Sequence, residues 1–72
     1  MAKPDYFVHA LWDVDASVWC SESNVPGLVI ETDTLAEFEQ CVKDFAPELL
    51  RDNLGVKTPV SVQFSASRQF VL

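Results

Sequence analysis

Residues 6–12, Tyr-Phe-Val-His-Ala-Leu-Trp, are rich in aromatic and β-branched side chains and predict a strand. The polar stretch Asp13-Val14-Asp15-Ala16-Ser17 follows, and residues 18–23 predict a second strand, so the two read as a hairpin. Asn24-Val25-Pro26-Gly27 is turn chemistry: proline presets one dihedral and glycine tolerates positive φ. Residues 28–32, Leu-Val-Ile-Glu-Thr, predict a third strand.

The period then changes from two to between three and four. Thr34-Leu35-Ala36-Glu37 matches a capping box at a helix start. Leu35, Phe38, Val42, Phe45 and Leu49 recur on one face, which predicts that Phe38, Val42, Phe45 and Leu49 pack on the sheet. Glu39 and Lys43 stand one turn apart in the favourable order on another face. The helix is expected from residue 34 to 50 or 53. Pro47 predicts a kink, or a short second helix over residues 47–52. Leu54-Gly55 is the expected exit. Residues 60–66 alternate cleanly: Val60, Val62, Phe64 and Ala66 face one way, and Ser61, Gln63 and Ser65 the other. They predict a half-buried fourth strand. The order is β-β-β-α-β, an α+β domain over residues 1–72 in which an antiparallel sheet carries one helix on one face.

Charge narrows the functional classes. Eleven Asp and Glu against five Lys and Arg leave a net charge of −6. The basic residues Lys3, Lys43, Arg51, Lys57 and Arg68 are scattered. Phosphate contacts dominate nucleic-acid affinity, so direct DNA or RNA binding is not expected. The acidity favours a basic protein partner, or serves solubility alone. No apolar run approaches the ~18 residues of a membrane span, and the N-terminus lacks signal-peptide features. A cytoplasmic location is expected. Cys20 and Cys41 then read as reduced, buried thiols packed in the core; their spacing suggests neither zinc nor redox chemistry.

Three short motifs, in order, carry a resemblance. Trp12-Asp13 ends the first strand, Val25-Pro26-Gly27-Leu28 makes the turn, and Pro47-Glu48-Leu49-Leu50 lies near the helix end. Together with Thr32-Asp33-Thr34-Leu35 and the amphipathic helix, they resemble the HicB-like antitoxin superfamily over roughly residues 6–64. The match is to a small standalone branch. The resemblance implies a partial ribonuclease H-like fold without catalytic competence. It also implies binding and neutralisation of a small basic HicA-like toxin that cleaves RNA. Better-known members carry a C-terminal DNA-binding domain. This chain's 72 residues leave no room for one, so autorepression is not expected of it.

The chemistry-bearing residues have plainer readings. Asp13, Asp15, Glu31 and Asp33 invite a metal-dependent nuclease, which needs carboxylates converging on hard cations. Aspartates in turns bond locally instead, and Asp33 sits where a helix N-terminus favours negative charge. His9, the one histidine, has no evident nucleophile or orienting partner and reads as a sheet-face residue. No catalytic residue, metal ligand or cofactor is expected, and the chain reads as a non-enzyme. Glu31, Asp33 and Glu37 are the candidate contacts for a basic partner.

Self-association is the further expectation. The core of so small a chain is marginal. The first strand is apolar on both faces: Phe7 and Leu11 lie opposite Tyr6, Val8 and Trp12. One helix covers one face, so the other needs a cover. A homodimer through Phe7, Leu11, Trp19 and Phe70 supplies it; the competing cover is the tail Phe70-Val71-Leu72. The alternative function is a homodimeric structural or regulatory protein, with a small ligand-binding protein or enzyme as a further class.

Overall fold

The computed structural model describes residues 5–57, 59–70 and 72. The N-terminal residues before Asp5 and Val71 of the tail lie outside them. Strand β1 (Tyr6–Asp13) turns into β2 (Val18–Ser23). The short β3 (Glu31–Thr32) precedes helix α1 (Leu35–Leu54), and β4 (Val62–Ser67) follows. The sheet order is β3-β2-β1-β4. The predicted α+β order and the single helix on one face are present.

The sheet is mixed rather than wholly antiparallel. β1 and β2 pair antiparallel, as do β2 and β3, but β4 runs parallel to β1. The connection dictates this. β3 points the same way as β1, α1 runs back along the sheet, and β4 therefore returns in the direction of β3. It then settles beside β1, on the side of the sheet away from β3. A helix-bearing crossover is the usual way to set two parallel strands side by side.

The third strand is shorter than the apolar run Leu-Val-Ile suggests. Val25 and Leu28 close a tight turn through Leu28 N–H to the Val25 carbonyl at 3.2 Å. Pro26 and Gly27, the latter at φ 80°, occupy its centre in the arrangement of a type II turn. Beyond it, Ile30 donates its N–H to the Ser21 hydroxyl at 2.9 Å, while Ser21 donates its own N–H to the Ile30 carbonyl at 3.1 Å. A side chain thus replaces a backbone acceptor, and regular pairing begins only at Glu31.

The helix is one unbroken segment through Pro47. Thr34 caps it: its hydroxyl accepts from Glu37 N–H at 3.2 Å and donates to the Glu37 carboxylate at 3.0 Å. Gly55, at φ 66°, ends it and donates its N–H to the Arg51 carbonyl. The expected break into a second helix at Pro47 does not occur, because tertiary packing on the sheet outweighs the lost backbone bond. The buried stripe is Phe38, Val42, Ala46 and Leu50. Phe45 does not pack on the sheet and is 50% exposed, while Leu49 is half-buried against the core. The stripe steps by four and drifts around the helix, so Ala46 takes the inward place that a step of three assigns to Phe45.

Val8, Ala10, Trp19, Val25, Leu28 and Ile30 complete the core beneath the helix. Asn53 ties the helix end to the turn, donating from Nδ2 to the Pro26 carbonyl at 3.2 Å.

Candidate functional site

Strand alternation divides the sheet into a covered and an open face. Tyr6, Val8, Ala10 and Trp12 of β1 turn toward α1, and Val8 and Ala10 are completely buried. Phe7, His9 and Leu11 therefore turn to the opposite face, which no described element covers. Cross-strand register extends that face. Leu11 stands opposite Cys20, His9 opposite Glu22, and Asp13 opposite Val18. Cys20 in turn stands opposite Glu31 on β3. On β4, Gln63, Ser65 and Ser67 align with Phe7, His9 and Leu11.

The open face thus has Phe7 and Leu11 on either side of His9 at its centre and carboxylates along its β2–β3 side. The Phe7 and His9 rings lie 5.1 Å apart at 49°. Glu22 and Glu31 are exposed. The Cys20 thiol is pushed above its ordinary value by desolvation first, then by the Asp13 and Glu31 carboxylates. A raised pKa keeps this thiol protonated and a poor nucleophile.

Not all the sequence candidates converge here. Phe7, Leu11 and Glu31 do. Trp19 is on the covered face, 8% exposed, with its indole edge to face against Trp12. That placement takes it away from any surface the open face offers. Phe70 is exposed in the segment after β4, against the Arg68 guanidinium, which also lies 4.1 Å from the Trp12 ring centroid. Arg68 and Trp12 belong to the helix side, so the described tail residues do not lie over Phe7 and Leu11. Asp33 is exposed at the β3–α1 junction, and the Glu37 carboxylate serves the helix cap.

The carboxylates do not gather into a cation site. Asp13 accepts from the N–H groups of Asp15 and Ala16 at 3.0 and 3.2 Å, holding the hairpin loop. Ser17 closes that loop in the left-handed region at φ 56°. Among the described residues no three His, Cys, Asp or Glu side chains are placed to hold a metal ion together. Neither cysteine is the buried core thiol expected: Cys41 is half-buried against the core, and Cys20 is half-buried on the open face because its register with Leu11 turns it away from the helix.

A second concavity lies on the covered side. α1 packs on β1 and β3 and meets the far strand through Phe38, whose ring is 5.9 Å from that of Phe64. The gap left along β4 is an apolar cavity of 340 Å³ walled by Val42, Ala46, Leu50, Val60, Val62 and Phe64, with Glu39 and Lys43 also lining it. Pro59 and Val60 just before β4 complete its floor, a feature invisible in the sequence because it depends on how far the helix stands off the sheet.

Residues 5–71 match a family described as a domain of unknown function (DUF1902). The chain belongs to this family. It is also similar to a hypothetical protein of the extremely thermophilic bacterium Thermus thermophilus, solved by crystallography. The two are 41% identical, with a TM-score of 0.75, over 92% of this chain and 96% of that one. No curated protein matches. Among the described residues no helix is long and apolar enough to cross a membrane.

Proposed function

We propose that this DUF1902 chain is a non-catalytic interaction domain whose open sheet face docks a small basic protein. The observation that carries the reading is the pairing of the apolar side chains Phe7 and Leu11, with His9 between them, and the exposed Glu22 and Glu31 beside them. Interfaces commonly place an apolar centre inside a polar rim, and an acidic rim selects for a basic partner. Two copies of this face would set Glu22 and Glu31 against like charges, on a chain already at −6, so a second copy fits it poorly. Asp33, exposed at the β3–α1 junction, lies outside this rim, and Glu37 contributes less because its carboxylate is engaged in the cap.

The resemblance to HicB-like antitoxins names the kind of partner: a HicA-like toxin, basic and RNA-cleaving, whose active surface the open face would occlude.

Any short basic protein encoded next to this chain is the probe. Co-expression should relieve its toxicity, and the purified pair should associate at a rate that falls steeply with added salt. Glu22→Lys combined with Glu31→Lys should slow association without unfolding the chain. A neighbour that neither binds nor is neutralised overturns the toxin reading. Association equally fast at low and high salt removes the electrostatic basis of the proposal.

A further inference from the structure

The two edges of the sheet are unequal. β3 closes one side with two residues, one of them Glu31. A short, charged edge resists pairing with another chain. β4 closes the other side with six residues, Val-Gln-Phe-Ser-Ala-Ser, which include no charge and no proline. It pairs with β1 in unbroken register from Tyr6–Val62 to Leu11–Ser67. Its outer row of backbone groups meets no strand among the described residues. Such an edge is a template for one more strand.

The 340 Å³ cavity opens beside this edge. A strand added to β4 would turn every second side chain toward the cavity mouth, the geometry by which edge-plus-groove sites take extended segments. The chain carries a fitting side chain of its own. Val62, Phe64 and Ala66 share the helix side with Tyr6, Val8 and Ala10. Arg68 keeps that phase, as its contact with Trp12 requires. Phe70 comes next in the alternation and is 66% exposed, with its ring 4.8 Å from the Arg68 guanidinium.

We propose that β4 pairs antiparallel with β4 of a second copy about a two-fold axis normal to the sheet, so that Phe70 of each copy closes the other's cavity. Keeping both helices on one side requires even-numbered residues to pair with even-numbered ones. Centred on Ser65, this register sets Phe64 against Ala66 and Phe70 against Val60, a cavity-lining residue. The two-fold axis applies the same patch twice, and each copy is both groove and ligand. Local charge favours a second copy over the basic partner here. Glu39 and Lys43 line the cavity together, Arg68 follows β4, and β4 is neutral, so this edge lacks the acidic bias of the open face. The open face stays free for its own partner in such a dimer.

Sedimentation equilibrium on the full chain, with Phe70→Glu and Phe7→Glu variants, tests this. The mass should rise from 8.1 kDa to twice that value across the micromolar range. Phe70→Glu should raise the dimer Kd by about tenfold or more, as removal of an aromatic anchor does, with far-UV circular dichroism unchanged. Phe7→Glu should leave the Kd where it was. A mass of 8.1 kDa at every concentration overturns the proposal. So does a dimer unmoved by Phe70→Glu, or one lost with Phe7→Glu.

Discussion

The indole rings of Trp12 and Trp19 meet edge to face, centroids 5.4 Å apart at 64°, across the β1–β2 pair. They join the hairpin's two strands just before its loop and on its helix side. Aromatic pairs of this geometry contribute about 0.5–1.5 kcal/mol beyond their area burial. Replacing a buried Trp by Ala costs about 3–5 kcal/mol, which matches the whole stability of a core this size. Trp19→Ala should therefore be unfolded at room temperature, and Trp19→Phe folded with a lower Tm. Thermal melts followed by circular dichroism check both.

The hairpin, the helix cap and the turn are legible in the sequence because each is decided by residues close along the chain. Thr34 and Glu37 meet as the capping spacing requires, and Pro26-Gly27 forms the turn its dihedral preferences favour. The parallel placement of β4 is not legible, because strand alternation states which side chains share a face but not which strand lies alongside. Phe45 and Ala46 exchange places for a related reason. Spacing of three and four fits both stripes, and only the angle of the helix on the sheet chooses between them. At the candidate site, alternation alone places Phe7 and Leu11 on the face opposite Val8. It cannot place Trp19, since register decides whether that residue matches Trp12 or Leu11.

The turn at Gly27 is locked from both sides. Its φ of 80° disfavours any side chain, and a Cβ there would stand 3.5 Å from Leu49 Cδ2 and 3.6 Å from Asn53 Nδ2, ordinary contact distances. The penalty in Gly27→Ala is then conformational, about 1–2 kcal/mol. Asn53→Ala removes the bond to the Pro26 carbonyl at an exposed site and should cost about 0.5 kcal/mol, the low end for a hydrogen bond. Urea midpoints should fall in both variants, further for Gly27→Ala.

Pro47 is carried inside the helix at a cost. It removes one backbone donor and crowds the preceding turn, a penalty of about 3 kcal/mol in a helix interior. Pro47→Ala should raise the Tm, by less than the full penalty, since Pro47 is half-buried beside the cavity and gives up packing. A lower Tm would mean that packing of the ring outweighs the lost backbone bond.

The Cys20 thiol carries a pH signature. Desolvation, and then the Asp13 and Glu31 carboxylates, push it above its ordinary value. The folded state holds this proton more tightly than the unfolded chain does. The resulting stabilisation is present below the thiol's ordinary titration range and is lost as pH rises through the higher folded value. In a Cys41→Ser background, iodoacetamide should label the native protein more slowly than the denatured one near pH 9. Glu31→Gln should shift the labelling profile to lower pH.

The two faces of β1 should respond oppositely to the same substitution. Val8 has no exposed surface, and serine there leaves a cavity and a buried hydroxyl, costing about 2–4 kcal/mol. Leu11, an odd number of residues along the strand, is 37% exposed on the open face. Serine there should cost about 1 kcal/mol, the span of strand preference, less than at Val8 because part of the side chain is already in water. Val8→Ser should therefore melt the domain, and Leu11→Ser should leave circular dichroism and the urea slope unchanged. Leu11 also stands opposite Cys20, on the face assigned to the basic partner. Leu11→Ser should accordingly speed dissociation of that partner while leaving the salt dependence of its association intact, because the carboxylates that steer encounter are untouched. The same variant should not alter the mass measured by sedimentation, since the proposed dimer contact runs along the outer edge of β4. A Leu11→Ser protein that is folded and binds the partner as tightly as the parent would place the docking surface elsewhere.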